Sequence, residues 1–161
     1  MVNLSSMSDN PKPEGPWPGN LTLAPGIVIY AGPGGKASPH SHHAIQFIRS
    51  FTEPFELVFE DETVSCMSAI VPSGVEHGFS SDAERLLLAL IEPLGPRGAD
   101  LNELALTLDH GQILTRLPLP QPGTDEPRQI LQQSIEALLP SRPSYPHISR
   151  HVEAALAYLD E

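Results

Sequence analysis

The chain has 161 residues, 40% of them hydrophobic, which supplies one core and not two. Twenty acidic side chains against nine scattered basic ones leave a formal charge of −11, so the chain does not grip a nucleic-acid backbone by itself, a task that takes clustered Lys and Arg. There is no apolar run of membrane-spanning length and no basic start followed by an apolar segment, and the single cysteine, Cys66, excludes an internal disulfide and a cysteine-built zinc site. A cytoplasmic protein is expected.

Residues 1–19 are polar and rich in Pro, Ser and Asn, and read as a mobile arm. Trp17, between Pro16 and Pro18, either anchors the end of that arm or sits in a surface turn. From residue 20 to 95 short apolar stretches (27–30, 44–48, 55–59, 64–71 and 86–91) alternate with turn formers, the spacing of an all-β sandwich or barrel. The turns include Gly32-Pro33-Gly34-Gly35, expected as a hairpin, and Pro72-Ser73-Gly74. The run from Leu86 to Ile91 is apolar throughout and predicts a strand covered on both faces. Glu60, Asp61 and Glu62 read as a solvated hairpin loop beside Glu56, and Cys66 as a small buried residue.

Beyond Pro93 the period becomes helical. In the segment 96–145, Asp100 and Glu103 form a candidate capping box ahead of a stripe of Leu101, Leu104, Ala105 and Leu108. A Pro-rich linker at 117–122 precedes a second helix starting near Asp125, with Pro127 in its first turn and Leu131, Ile135, Leu138 and Leu139 on one side. Residues 140–146 break the chain again. Within 146–161, Ser149 caps a third helix carrying Val152, Ala155, Leu156 and Leu159, which reaches Glu161 without a C-cap. The expectation is a polypeptide that continues past that point.

Two segments carry chemistry. Gly34, five residues, His40, one residue, His42, three residues, Gln46 reproduces the first motif of the cupin family, and Pro72, Gly74 and His77 reproduce the centre of its second. The departures are Gln46 where the family has Glu, Glu53 and Cys66 where it has Gly, and Ser81 where it has Asn. The resemblance implies a mainly β fold, a cupin barrel (a jelly-roll-like double-stranded β-helix) followed by C-terminal α-helices. Strand alternation would put His40, His42 and Gln46 on one face and His43 on the other, with His77 completing the cluster from a later strand. Three neutral imidazoles and one amide oxygen suit a divalent transition metal, Zn, Fe, Ni or Mn. The alternative is a set of histidines that bond only to each other, to backbone and to water. Tyr30, Phe47 and Phe55 are candidates for an aromatic ligand lining, core packing being the other role open to each. His110, His147 and His151 read as ordinary surface residues.

Barrel, linker and helices, in that order, resemble the N-terminal half of an AraC-type transcriptional regulator. The resemblance is carried by the stretch from Gly32 to Ile48, by VPSGVEHGF, and by ISRHVEAALAYL, which is similar to the first helix of that family's DNA-binding region. It implies an effector-binding and dimerisation domain that senses a small molecule, forms a homodimer, and reaches DNA only through a domain missing from this chain. The other reading is a free-standing metal-dependent cupin enzyme of dioxygenase or isomerase type.

Overall fold

A computed structural model describes residues 17–95, 97–107, 119 and 121–139. The arm before Trp17, the expected third helix and His110, His147 and His151 lie outside the described residues.

The strands are β1 (Asn20–Ala24), β2 (Ile27–Gly32), β3 (Lys36–His40), β4 (Ile45–Ser50), β5 (Phe55–Val58), β6 (Thr63–Cys66), β7 (Ser68–Val71), β8 (His77–Ser80) and β9 (Leu86–Ile91). Two helices follow, α1 (Gly98–Thr107) and α2 (Pro127–Leu138). The strands form one five-stranded sheet in the order β1-β2-β9-β4-β7 and one four-stranded sheet in the order β3-β8-β5-β6, antiparallel throughout. Among the described residues no ladder joins the two sheets. The expected closed barrel is therefore present as two facing sheets with short corners between them.

The corners explain several local choices. The segment expected as a hairpin at Gly32-Pro33-Gly34-Gly35 instead carries the chain from β2 in one sheet to β3 in the other. There Gly34 donates its N–H to the Ala83 carbonyl at 2.7 Å, and a Cβ on Gly34 would meet Ser81 backbone and side-chain atoms at 2.5 to 2.7 Å. Only glycine fits that approach. Met67 alone separates β6 from β7 and turns the chain between sheets. The acidic loop is the expected β5–β6 hairpin, closed by a bond from Phe59 N–H to the Glu62 carbonyl at 2.8 Å.

Period-two alternation gives the five-stranded sheet two apolar faces. Tyr30, Ile48, Ala69, Val71 and Leu86 pack inward with Phe55, Leu57 and Phe79 of the smaller sheet. Ile29, Ile45, Phe47, Ile70, Leu87, Ala89 and Ile91 face the other way, onto Leu101 and Ala105 of α1 and Ile130, Leu131 and Leu138 of α2. The helices thus share a core with the sheet. β9 is covered on both faces, as its unbroken apolar text predicts.

α2 starts at Pro127 in the first turn, as expected, because proline pre-sets φ where the N–H has no helical partner. α1 starts at Gly98, so Asp100 lies inside the first turn and not at the cap position the sequence spacing predicts. Its carboxylate there favours the positive end of the helix dipole. Across the outer face, Arg49 of β4 donates from Nη1 to Ser134 Oγ on α2 at 3.0 Å, and Ser134 donates to the Ile130 carbonyl at 2.8 Å. Arg85 donates to Asp125 at 2.6 Å, and both guanidinium groups lie over the Phe51 ring.

Alternation within β5 makes a sharp test. Leu57 is fully buried between the sheets and its neighbour Val58 is 37% exposed. Chemical denaturation should find Leu57→Ala less stable by about 2–5 kcal/mol and Val58→Ala by less than about 1 kcal/mol.

Candidate metal centre

Three elements converge on one point. His40 ends β3, His77 opens β8, and the two oppose each other across the β3–β8 ladder with ring centroids 4.8 Å apart. His42 lies in the crossover from β3 to β4, its ring 5.4 Å from each of the others. Gln46 is the second residue of β4, in the facing sheet, and is buried. The sequence spacing correctly groups the four residues, but not by alternation along one strand. β3 stops at His40 and β4 begins at Ile45 in the other sheet, so the corner aims the side chains. The turn before His77 is tied to this corner. Gly74, at φ +78, donates its N–H to the His42 carbonyl at 2.9 Å, and Ser73 donates its N–H to Asn102 Oδ1 on α1 at 3.0 Å. An L side chain at position 74 would be strained.

The ring hydrogen bonds fix the tautomers. His40 Nδ1 lies 2.8 Å from the Ser38 carbonyl, His42 Nδ1 2.8 Å from the Ala44 carbonyl, and His77 Nδ1 2.9 Å from the Val75 carbonyl. A carbonyl can only accept, so each Nδ1 carries the proton and donates. In the neutral ring each Nε2 is then a bare lone pair. Gln46 is placed with Oε1 2.9 Å from His42 Nε2 and 3.2 Å from His77 Nε2, an orientation that exchanges with its NH2 by a half-turn of the amide. Two acceptors demand a donor, so the amide turns its NH2 group toward them, one hydrogen for each ring. Burial, with the neighbouring rings of His40 and His42 adding to it, pushes the His77 imidazole down to about 4 against the carbonyl of Val75, so it is neutral at pH 7.

This donor set fits a transition ion. One nitrogen from each of His40, His42 and His77 lies within 4.8 Å of the others. Metal-bound imidazoles usually donate their second ring N–H to a carbonyl or carboxylate, which holds the ring in place and fixes its tautomer. All three rings here already do so. With its amide rotated, Gln46 would add a neutral oxygen donor.

Beside the imidazoles opens a cavity of about 710 Å³. Its polar end is His40, His42 and Gln46, and its walls include Trp17, Tyr30, Phe79 and Leu88. Trp17 meets Tyr30 edge-on at 5.1 Å and stacks on Phe79 at 6.0 Å, so it anchors the start of the described chain over the cavity. Tyr30 accepts from Gly19 N–H at 3.1 Å and donates to the Pro33 carbonyl at 2.7 Å. The structure separates the other two aromatic candidates from this wall. Phe47 faces the helices on the far side of β4, and Phe55 is sealed between the sheets behind Phe79. Sequence reading missed Phe79, Leu88 and Leu90, whose alternation places them inward once the register of β8 and β9 is known. Outside the cluster His43 is exposed, 3.2 Å from Glu92 Oε1, and Cys66 is buried with its thiol pushed up to about 12.

No protein-family model matches the sequence, and no curated protein matches it. Among solved structures, a protein from Neisseria meningitidis is similar at 17% identity and a TM-score of 0.39, over 55% of this chain and 91% of that one. A cupin domain from Bordetella pertussis is similar at 20% identity and a TM-score of 0.36, over 51% of this chain and 92% of that one. A cupin-2 domain protein from Shewanella frigidimarina is similar at 14% identity and a TM-score of 0.41, over 48% of this chain and 82% of that one. Among the described residues no helix is long and apolar enough to cross a membrane.

The neutral burial of His77 has a pH consequence. Its folded pKa lies below the unfolded value of 6.5, so the unfolded chain binds more protons between the two. The stabilisation is present above pH 6.5 and is lost as pH falls toward 4. Urea titrations in EDTA should show up to about 3 kcal/mol lost across that window through this residue. His77→Gln should flatten the slope.

Proposed function

We propose that this chain is a metal-dependent effector-sensing domain of the kind found in AraC-type regulators. In this reading His40, His42 and His77 hold a divalent transition ion with Gln46, and a small organic molecule binds in the adjoining cavity. An ion held there would supply a Lewis acid for an oxygen donor of the effector. The protein's own groups do the rest: the Ser38, Ala44 and Val75 carbonyls orient the rings, and Trp17, Tyr30 and Phe79 exclude water from the effector's apolar parts.

The observation that carries a sensing role is the two-sidedness of β4. Gln46 faces the cavity, and three residues on, Arg49 faces outward and is bonded to Ser134 at the centre of α2. In this reading a shift of the Gln46 end of β4 would pass to α2 through the buried Arg49–Ser134 hydrogen bond. The net charge of −11 supports leaving DNA contact to another domain, and a homodimer through the helical segment belongs to the same proposal. The second reading, a metal-dependent enzyme, is favoured by three converging imidazoles beside an open cavity. Against it, the one carboxylate in the cavity lining among the described residues is Glu76, which is exposed. A buried acid–base partner for the metal is lacking among the lining residues.

Metal titration coupled to hydrogen exchange tests the proposal. One equivalent of Zn2+ or Ni2+ should bind per chain, and His42→Ala should abolish binding while the far-UV circular dichroism is retained. Metal should slow exchange in α2 of the native protein and leave α2 unchanged in Arg49→Met. Absence of stoichiometric metal would remove the centre, and metal binding with no effect on α2 would favour the enzyme.

A further inference from the structure

On the side of the five-stranded sheet the cavity is lined by Leu21, Leu88 and Leu90, and apolar residues of β1 and β2 continue that face beyond it. Gln46 opposes Leu90 of β9, Leu90 opposes Val28 of β2, and Val28 opposes Leu23 of β1. Directly opposed residues in an antiparallel sheet share a face. The row Gln46–Leu90–Val28–Leu23 is therefore one continuous line on the inner face, leading from the imidazoles to the sheet edge. A second row beside it runs Ile48–Leu88–Tyr30–Leu21. The smaller sheet covers Ile48 and Tyr30, but the covering stops short of β1. Leu21 is 68% exposed, Leu23 74% and Val28 37%, while the polar Asn20 and Thr22 of β1 point to the opposite face.

Single exposed leucines are ordinary on a protein surface. A contiguous apolar line that starts at a cluster of three imidazoles is not. Imidazole and amide are neutral ligands, so they would leave the charge of a divalent ion uncompensated and favour an anionic oxygen donor beside it. The line from Gln46 to Leu23 spans three inter-strand spacings, roughly 14 Å.

We infer that the cavity takes an amphipathic organic anion, its oxygen head at the His40–His42–His77 cluster and its apolar body along Leu90, Val28 and Leu23. The head-group half of this inference rests on the metal reading given above; the apolar track does not. Continuity with the cavity is what argues for a small amphiphile here, in preference to a second copy of the chain. Trp17 walls the inner end of the track and, as the single tryptophan of the chain, reports occupancy directly.

The test uses straight-chain carboxylates from acetate to decanoate, titrated into the full chain with Zn2+ or with EDTA and followed by Trp17 fluorescence and calorimetry. Affinity for the Zn2+-loaded protein should climb about two- to fourfold per methylene until the track is filled, then level off. Leu23→Ser should erase the gain for octanoate and decanoate and leave acetate binding and metal affinity as they were. Decanoate binding no tighter than acetate, or unchanged in Leu23→Ser, would overturn the track while the metal centre stood. Affinities with EDTA equal to those with Zn2+ at every chain length would keep the track and overturn the metal-held head group. A dimer in sedimentation that Leu23→Ser dissolves and decanoate does not disturb would assign the face to a second copy and sink the proposal.

Discussion

Burial of both faces of β4 is the constraint on which this structure turns. All six residues of the strand are buried, with the smaller sheet on one side and two helices on the other. Hydrocarbon is the favoured filling for such a strand, because an unpaired buried polar group costs about 1–3 kcal/mol. Three residues of β4 are polar exceptions, Gln46, Arg49 and Ser50, and Ser50 Oγ has no hydrogen-bond partner among the described residues. Gln46 is satisfied by the histidines and Arg49 by α2. Two partnered polar side chains thus leave one strand on opposite sides of the sheet.

The turn from Pro72 to Gly74 performs a related service between β7 and β8. It receives a side-chain oxygen from α1 at Ser73 and gives a backbone bond to the His42 corner at Gly74, three residues before His77. Two of the three imidazoles are therefore referenced to the same turn, and that turn to a helix. The Arg49 bond reaches the other helix, so the site touches both without either helix lining the cavity.

Much of this was legible in the text of the chain. The motif spacing grouped His40, His42, Gln46 and His77, the apolar run from Leu86 to Ile91 announced double-sided burial, and Pro127 marked the start of α2. The failures share a cause. Alternation along a strand was used to orient His40, His42 and Gln46, but a corner between two sheets does that work, and sheet membership is a long-range property that local period cannot supply. The same ignorance turned the Gly32 to Gly35 segment into a hairpin and placed Phe47 and Phe55 in a lining they do not join. Asn102 had no local signal at all, since its role depends on where α1 comes to rest.

Gln46 in place of Glu changes what the site demands of its surroundings. A carboxylate there would bring only acceptors to imidazoles whose Nδ1 protons are already committed, and the cluster would need added protons or a cation to be at peace. The amide brings two hydrogens of its own. Such a pocket satisfies its own hydrogen bonds, so an ion entering it would have to compete with an internal pair. Loading of the kind proposed would then follow supply over a range of concentrations, the behaviour of a gauge more than of a fixed prosthetic fitting.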